Sequence, residues 1–332
     1  MKYVVTGGAG FIGSHITEKL VERGDTVTVI DNLKTGKEKN LGLVKEKIEF
    51  VKGSILDHKL LEEITKDVDG VFHQAALASV PDSFKKPTEY YDVNVNGTEN
   101  IFKLSKKHGF KVVYASSSSV YGNPIRVPIK ESDDKNPINP YAKTKLKSEE
   151  LAIQYSKMGV NVIALRYFNV FGKRQSKEYA GVIKLFLERI RDELPPKING
   201  DGTQSRDFVH VDDVVNANIM SMNNADIAHE FFNVGTNSSI TVLDLAKIII
   251  EASGLGIEPI FGSALNGDVH KSMANIDLIE QKIGWKPSNM IVNNAKNIIL
   301  LRNNLSRCYA VAPNKSTSMT LYTSKGGGVL SQ

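Results

Sequence analysis

Tyr141 and Lys145 stand four residues apart in the run NPYAKTK, residues 139–145. Asn139-Pro140 is a helix-start signal: asparagine accepts from first-turn N–H groups, and proline fits where no N–H donor is needed. Tyr141 then falls in the first turn with Lys145 on the same helical face. A phenol beside an ammonium ionises more easily because the positive charge favours the phenolate, so the pair is a candidate general base. Upstream, the β-branched and aromatic run 111–115 predicts a buried strand, and Ser116, Ser117, Ser118 and Ser119 at its end predict a loop.

A second chemical signature lies at the N-terminus. A strand over 2–6 runs into GGAGFIG, in which Gly7, Gly10 and Gly13 have the spacing G-x-x-G-x-x-G. A helix over 14–23 ends at Gly24, and a strand over 26–30 ends at Asp31. Glycines permit a tight turn and let a pyrophosphate approach backbone N–H groups at a helix N-terminus, where the dipole favours negative charge. Asp31 stands where a carboxylate accepts from adenosine ribose hydroxyls and repels a 2′-phosphate, which points to NAD over NADP. A glycine triplet alone is only a flexible turn; strand, glycines, helix, strand and acid in this order are a dinucleotide fingerprint.

The elements that must position these groups alternate. Strands are predicted over 48–51 and 70–74, a loop and helix over 54–65, a long helical region over 87–107, and a helix over 140–157. This is an α/β chain of the Rossmann type, a doubly wound parallel sheet that holds ligands at the carboxyl ends of its strands. The glycine loop, HQAALASV and the serine loop all lie at such ends and are expected to share one crevice. After Asn169 the periodicity loosens into a smaller mixed α/β lobe, with helices over 180–191 and 214–222. The expected division is a dinucleotide-binding domain over 1–169, with later returns of the chain, a second lobe over 170–305, and a polar, glycine-rich tail over 306–332 with no assigned role.

Composition excludes several classes. The chain has 332 residues, 42 basic against 37 acidic, for a net charge of +5. The lysines are spread thinly, which makes no case for nucleic acid. The single cysteine, Cys308, has no partner within the chain, and no Cys or His cluster has zinc-site spacing, so no metal is expected. The N-terminal apolar run is too short and glycine-rich for a signal peptide or membrane span, and a cytoplasmic location is expected. His73 and His210, in apolar runs, read as core histidines, and Trp285 as packing.

The motifs TGGAGFIG, HQAALASVP, NVNGT, SSSSVYG, PYAKTK, RYFNVFG and GDGTQSRDFVHVDD, in that order over about residues 1–290, resemble the extended branch of the short-chain dehydrogenase/reductase superfamily, and within it the nucleotide-sugar 4-epimerases. The resemblance implies NAD as cofactor, a UDP-sugar as substrate and a homodimer built through 87–107 and 140–157. It implies catalysis by Tyr141, Lys145 and Ser117, with the lysine binding the nicotinamide ribose and lowering the tyrosine pKa. The cofactor contacts it implies are Gly7, Gly10, Phe11, Ile12, Gly13, Asp31, Asn32, Ser54, Ile55, Ala75, Ala76 and Asn94, together with Tyr141 and Lys145. On the substrate side it implies Ser79, Ser117, Ser118, Tyr141, Asn169, Val182, Arg206, Asp268 and Ser272.

Related dehydratases and decarboxylases carry an acid in the serine loop, used to eliminate water or to position a carboxylate for loss. No Asp or Glu occurs between Ala115 and Gly122, which points to proton and hydride transfer alone. In two places the sequence departs from the family pattern. Ser54 replaces an acid that contacts adenine, and Leu265 replaces an arginine on the diphosphate, with His270 and Lys271 as candidate substitutes. Ser272 resembles the gate beside the sugar 2-substituent; a small residue there leaves room for an N-acetyl group. The expected reaction is 4-epimerisation of UDP-glucose/UDP-galactose and of their N-acetylated counterparts. The alternatives are a UDP-glucuronate 4-epimerase and a non-catalytic nucleotide-sugar or NAD-binding protein.

Overall fold

Short, continuous apolar runs set up strands buried on both faces of a sheet. In the computed structural model, residues 1–175, 181–264 and 269–288 are described. The first half runs β1 (Lys2–Thr6), α1 (Phe11–Glu22), β2 (Thr26–Asp31), β3 (Glu49–Lys52), α2 (His58–Thr65), β4 (Gly70–His73), α3 (Val80–Lys85), α4 (Pro87–Tyr91), α5 (Gly97–His108), β5 (Lys111–Ser117), α6 (Pro140–Ser156) and β6 (Val162–Tyr167). The second half adds β7 (Asn169–Phe171), α7 (Val182–Arg191), β8 (Lys197–Asn199), β9 (Ser205–Arg206), β10 (Phe208–His210), α8 (Val211–Asn223), β11 (His229–Val234), β12 (Ile240–Thr241), α9 (Val242–Ser253), β13 (Ile260–Gly262) and α10 (Asp277–Ile283).

Seven strands form one sheet in the order β11-β6-β5-β4-β1-β2-β3, all parallel. Successive strand residues feed opposite cores, as the pleat requires. Tyr3 and Val5 pack with Ile16 and Leu20 of α1 and Val214 and Ile219 of α8. Val4, Val112 and Tyr114 pack with Leu61 of α2, Phe102 of α5 and Ala152 of α6. The expected Rossmann-type sheet is borne out, and so is the smaller lobe, whose separate core joins Ile183 and Phe186 of α7 to Leu245 and Ile249 of α9. The chain returns to the main sheet through α8 and β11.

The element boundaries differ from expectation in three informative places. α1 begins at Phe11 instead of 14, because Gly10 takes the extended backbone of an N-cap and commits Phe11, Ile12 and Gly13 to the first turn. α8 begins at Val211, with His210 Nδ1 accepting from Asp212 N. The long helical region over 87–107 carries a π-helical turn at Asp92–Asn96 between α4 and α5, the kind of widened turn that re-aims a side chain.

Candidate functional site

Asn139 and Pro140 start α6 as their types demand: Asn139 Oδ1 accepts from Ala142 N at 2.8 Å, and proline occupies the first turn. Tyr141 and Lys145 then project from one face toward the end of β5. Lys145 is buried, donates from Nζ to the Ala115 carbonyl at 2.8 Å, and lies 5.0 Å from the centroid of the Tyr114 ring. Burial pulls its pKa down to about 7, while the nearby Glu149 carboxylate pushes the other way. Burial raises the Tyr141 pKa, and the neighbouring Ser117 side chain lowers it.

The glycine loop opens into the same place. A cleft of about 770 Å³ is lined by Gly7, Gly10, Phe11, Ile12, Gly13, Asp31, Asn32, Ser54, Ile55, Ala75 and Ala76, and also by Ala115, Ser116, Tyr141 and Lys145. Gly7 has φ +66°, and a Cβ there would sit 2.8 Å from Ala75 Cα; at Gly13 a Cβ would sit 2.3 Å from the Gly7 carbonyl oxygen. Only glycine permits this turn, and it leaves the α1 N-terminus without a side-chain cap. Asp31 is buried beneath Gly36, with Oδ2 accepting from Ala9 N at 3.0 Å and Oδ1 from Leu33 N at 2.8 Å. Burial raises its pKa and these backbone bonds lower it.

Asn94 stands behind the wall. Its Oδ1 accepts from Leu77 N at 2.8 Å, and its Nδ2 donates to Leu77 O at 2.9 Å and Thr144 Oγ1 at 3.0 Å. It thereby fastens a lining residue to α6 from within the π-helical turn. Ser79 is buried as the N-cap of α3, accepting from Asp82 N at 3.2 Å. Ser118 opens the 3-10 turn after β5, and Val182 is half-buried at the start of α7.

The remaining substrate candidates gather in the second lobe. Ser272 N donates to Ser205 O at 3.2 Å, and Arg206 Nη1 to the same carbonyl at 2.8 Å, so both converge on one backbone group. Asn169 N and Nδ2 donate to Asp207 O at 3.0 and 3.3 Å. The Asp207 carboxylate, fully buried, accepts from Thr236 N and Oγ1 and from Ala274 N, and burial raises its pKa to about 6. Sequence reasoning passed over Asp207, although an acid between Arg206 and Phe208 in an apolar run is a signal. It also passed over Arg174, Lys184 and Leu187, which line the cleft.

His270 and Lys271 are exposed. Asp268, Leu265, Cys308 and the tail over 306–332 lie outside the described residues. His73 is buried between Thr6 Oγ1 at 2.7 Å and Thr98 Oγ1 at 2.9 Å, and Trp285 is buried with Nε1 donating to Asp213 O at 3.0 Å. Among the described residues no group of three or more His, Cys, Asp or Glu side chains could hold a metal, and no helix is long and apolar enough to cross a membrane.

The profile of the NAD dependent epimerase/dehydratase family matches residues 3–235. A Methanocaldococcus jannaschii protein, provisionally assigned as a UDP-glucose 4-epimerase, is 40% identical over 92% of this chain and 99% of its own length. The structure of UDP-glucose 4-epimerase from Thermotoga maritima with UDP-glucose superposes with a TM-score of 0.86 at 36% identity, covering 92% of this chain and 100% of that one. UDP-N-acetylglucosamine 4-epimerase from Methanobrevibacter ruminantium M1, in complex with UDP-N-acetylmuramic acid, superposes with a TM-score of 0.87 at 38% identity, covering 92% and 98%.

Proposed function

Because the chain belongs to the NAD dependent epimerase/dehydratase family, we propose that it is an NAD-dependent UDP-hexose 4-epimerase acting on UDP-glucose/UDP-galactose and on their N-acetylated counterparts. The observation that carries this reading is that Tyr141, with Ser117 as its neighbour, lines a cleft shared with the glycine loop, next to a serine loop that has no acid. Elimination or decarboxylation needs a further acid or a carboxylate-positioning group there; epimerisation needs only a proton carrier and a hydride carrier.

The residues present fit NAD. The absence of Cβ space at Gly13, the uncapped N-terminus of α1 and the Asp31 carboxylate suit a pyrophosphate and an adenosine ribose. Phe11, Ile12, Asn32, Ser54, Ile55, Ala75 and Ala76 complete the walls that would hold the dinucleotide. When bound, NAD supplies the hydride acceptor and donor and brings a positive ring into the cleft.

The chain's own residues handle the proton. Tyr141 as phenolate takes it from the sugar 4-hydroxyl as that carbon is oxidised, and gives it back after the 4-keto sugar has turned over. Ser117 donates to the reacting oxygen beside the phenol. The ammonium form of Lys145 favours the phenolate and is held in place by Ala115 O. Binding strength is best concentrated on the nucleoside diphosphate, through Asn169 and Arg206, so that the hexose stays free to turn.

The test is to incubate purified protein with UDP-glucose, UDP-N-acetylglucosamine and UDP-glucuronate without added NAD. We expect the 4-epimers of the first two. Product from UDP-glucuronate alone would redirect the assignment to that sugar, and no product from any, even with NAD added, would replace the enzyme by a binding protein.

A further inference from the structure

Ser117 lies in a stretch tied down on both sides to one buried ion pair. Before it, Ser116 Oγ donates to Glu149 Oε1 at 2.5 Å; after it, Tyr121 Oη accepts from Arg166 Nη1 at 2.8 Å. Glu149 and Arg166, 2% and 3% exposed, face each other in a bidentate pair, Nε to Oε1 at 2.9 Å and Nη2 to Oε2 at 2.8 Å. The β5–β6 register sets Ser116 opposite Arg166 and Ser117 opposite Tyr167, so the tether and the proton-handling serine point to opposite faces of the sheet.

Arg166 and Tyr121 make further contacts. Arg166 Nη1 reaches the Glu131 carbonyl at 3.0 Å, and the guanidinium lies 5.1 and 5.0 Å from the centroids of the Tyr121 and Phe231 rings. Tyr121 Oη donates onward to Asn233 Oδ1 at 2.7 Å. Glu149 follows Tyr141 by about two turns of α6, so one rigid helix carries both the phenol and the carboxylate.

A buried pair of charges stabilises a fold no better than well-packed apolar residues of the same volume, whereas its hydrogen bonds fix distances. We propose that the Glu149–Arg166 ion pair is a positioning device for the active site: it clamps Ser116 and Tyr121, on either side of Ser117, to the helix that carries Tyr141, and so sets the serine-to-phenol distance. The chain of contacts leads from α6 through Glu149 to Ser116 directly, and through Arg166 to Tyr121. Neither charged residue is a catalytic group. The proposal rests on reading Tyr141 and Ser117 as the proton-handling pair.

The test uses the full-length protein and the variants Ser116→Ala, Tyr121→Phe and Glu149→Gln. The first readout is the ionisation of Tyr141, measured as near-ultraviolet phenolate absorbance against a Tyr141→Phe control in each background, because the chain holds 11 tyrosines. Ser117 lowers that titration, Tyr90 and Tyr114 are the other titratable neighbours and Lys145 stands one turn along α6, so a displaced serine moves it to higher pH by about half a unit or more. The second readout is turnover of UDP-glucose: kcat falls about tenfold while KM stays within about twofold, as for an interaction made only in the transition state. A generally loosened protein would instead lose substrate affinity along with turnover.

Unchanged Tyr141 titration in folded Ser116→Ala and Tyr121→Phe would overturn the clamp, as would equal losses in kcat and substrate affinity. If Glu149→Gln does not fold, the two milder variants decide. If the unsubstituted protein turns over no UDP-sugar, the epimerase reading fails on its own, and the titration still decides the clamp.

Discussion

Lys145 Nζ lies 2.8 Å from the Ala115 carbonyl oxygen, so the ammonium of α6 is bonded to the end of β5 from a buried position. Burial brings its folded pKa to about 7, well below the ordinary lysine value. Between those two pH values the unfolded chain carries a proton that the folded protein does not, so stability rises with pH across that window and is lowest for this residue below about 7. Lys145→Met is therefore expected to raise stability at neutral pH by an amount on the order of 2 kcal/mol and to flatten its rise toward alkaline pH. Urea denaturation near neutral and at alkaline pH measures both. A less stable methionine variant would mean that the bond to Ala115 outweighs the desolvation of the charge.

Tyr141→Phe keeps the ring and removes the proton carrier. We expect kcat to fall by about 10³-fold or more, with substrate affinity retained, since a positioned general base contributes 10² to 10⁴. Ser117→Ala leaves the phenol in place but removes the neighbour that lowers its pKa. It is expected to lower kcat by about 10- to 100-fold and to move the acidic limb of the pH profile to higher pH. Steady-state epimerisation over a pH range separates the two, and a Ser117→Ala profile identical to the parent's would take the serine out of the proton path.

His73 sets the acid side of the stability curve. It is 1% exposed, held between Thr6 and Thr98, and burial together with the Lys145 charge lowers its pKa to about 3. The unfolded chain protonates this histidine below its ordinary value, so stability is lost as pH falls from about 6.5 toward 3, at about 1.4 kcal/mol per pH unit. Asp207 acts in the opposite sense: with its pKa raised to about 6, the folded protein keeps a proton there that the unfolded chain releases. His73→Gln is expected to flatten the acid loss, read as melting temperature from neutral to acidic pH. An unchanged slope would assign acid denaturation to other groups.

Much of this was legible locally. Asn139-Pro140 starts α6 because both signals act within one turn, and the glycine spacing specifies a turn whose tightness is steric. Continuous β-branched and aromatic runs over 2–6 and 111–115 located strands buried on both faces. What escaped depends on register between distant segments. Glu149 reads as one more charge on a Lys- and Glu-rich helix until β5 and β6 pair and set Arg166 opposite Ser116. The hold of Asn94 on Leu77 and Thr144 is likewise set by the π-helical turn and not by any local signal. The depression of the Lys145 pKa could not be read from spacing along a helix, because it comes from desolvation of the ammonium.

The sugar 2-substituent offers the sharpest test of substrate breadth. Ser272 is 7% exposed and is drawn by its backbone N–H onto Ser205 O, the carbonyl that also accepts from Arg206. If residue 272 is the proposed gate beside the sugar 2-substituent, bulk there competes with whatever the hexose carries at carbon 2. Ser272→Tyr adds a ring at a buried position, and an N-acetyl group is larger than a hydroxyl by several heavy atoms. Turnover of UDP-N-acetylglucosamine is expected to fall by about 100-fold or more while that of UDP-glucose stays within about threefold, since steric exclusion of a bulky group costs several kcal/mol and a hydroxyl pays none of it. Comparing kcat/KM for the two sugars in the same preparation controls for folding. Equal loss on both would show that residue 272 supports the lobe without gating it.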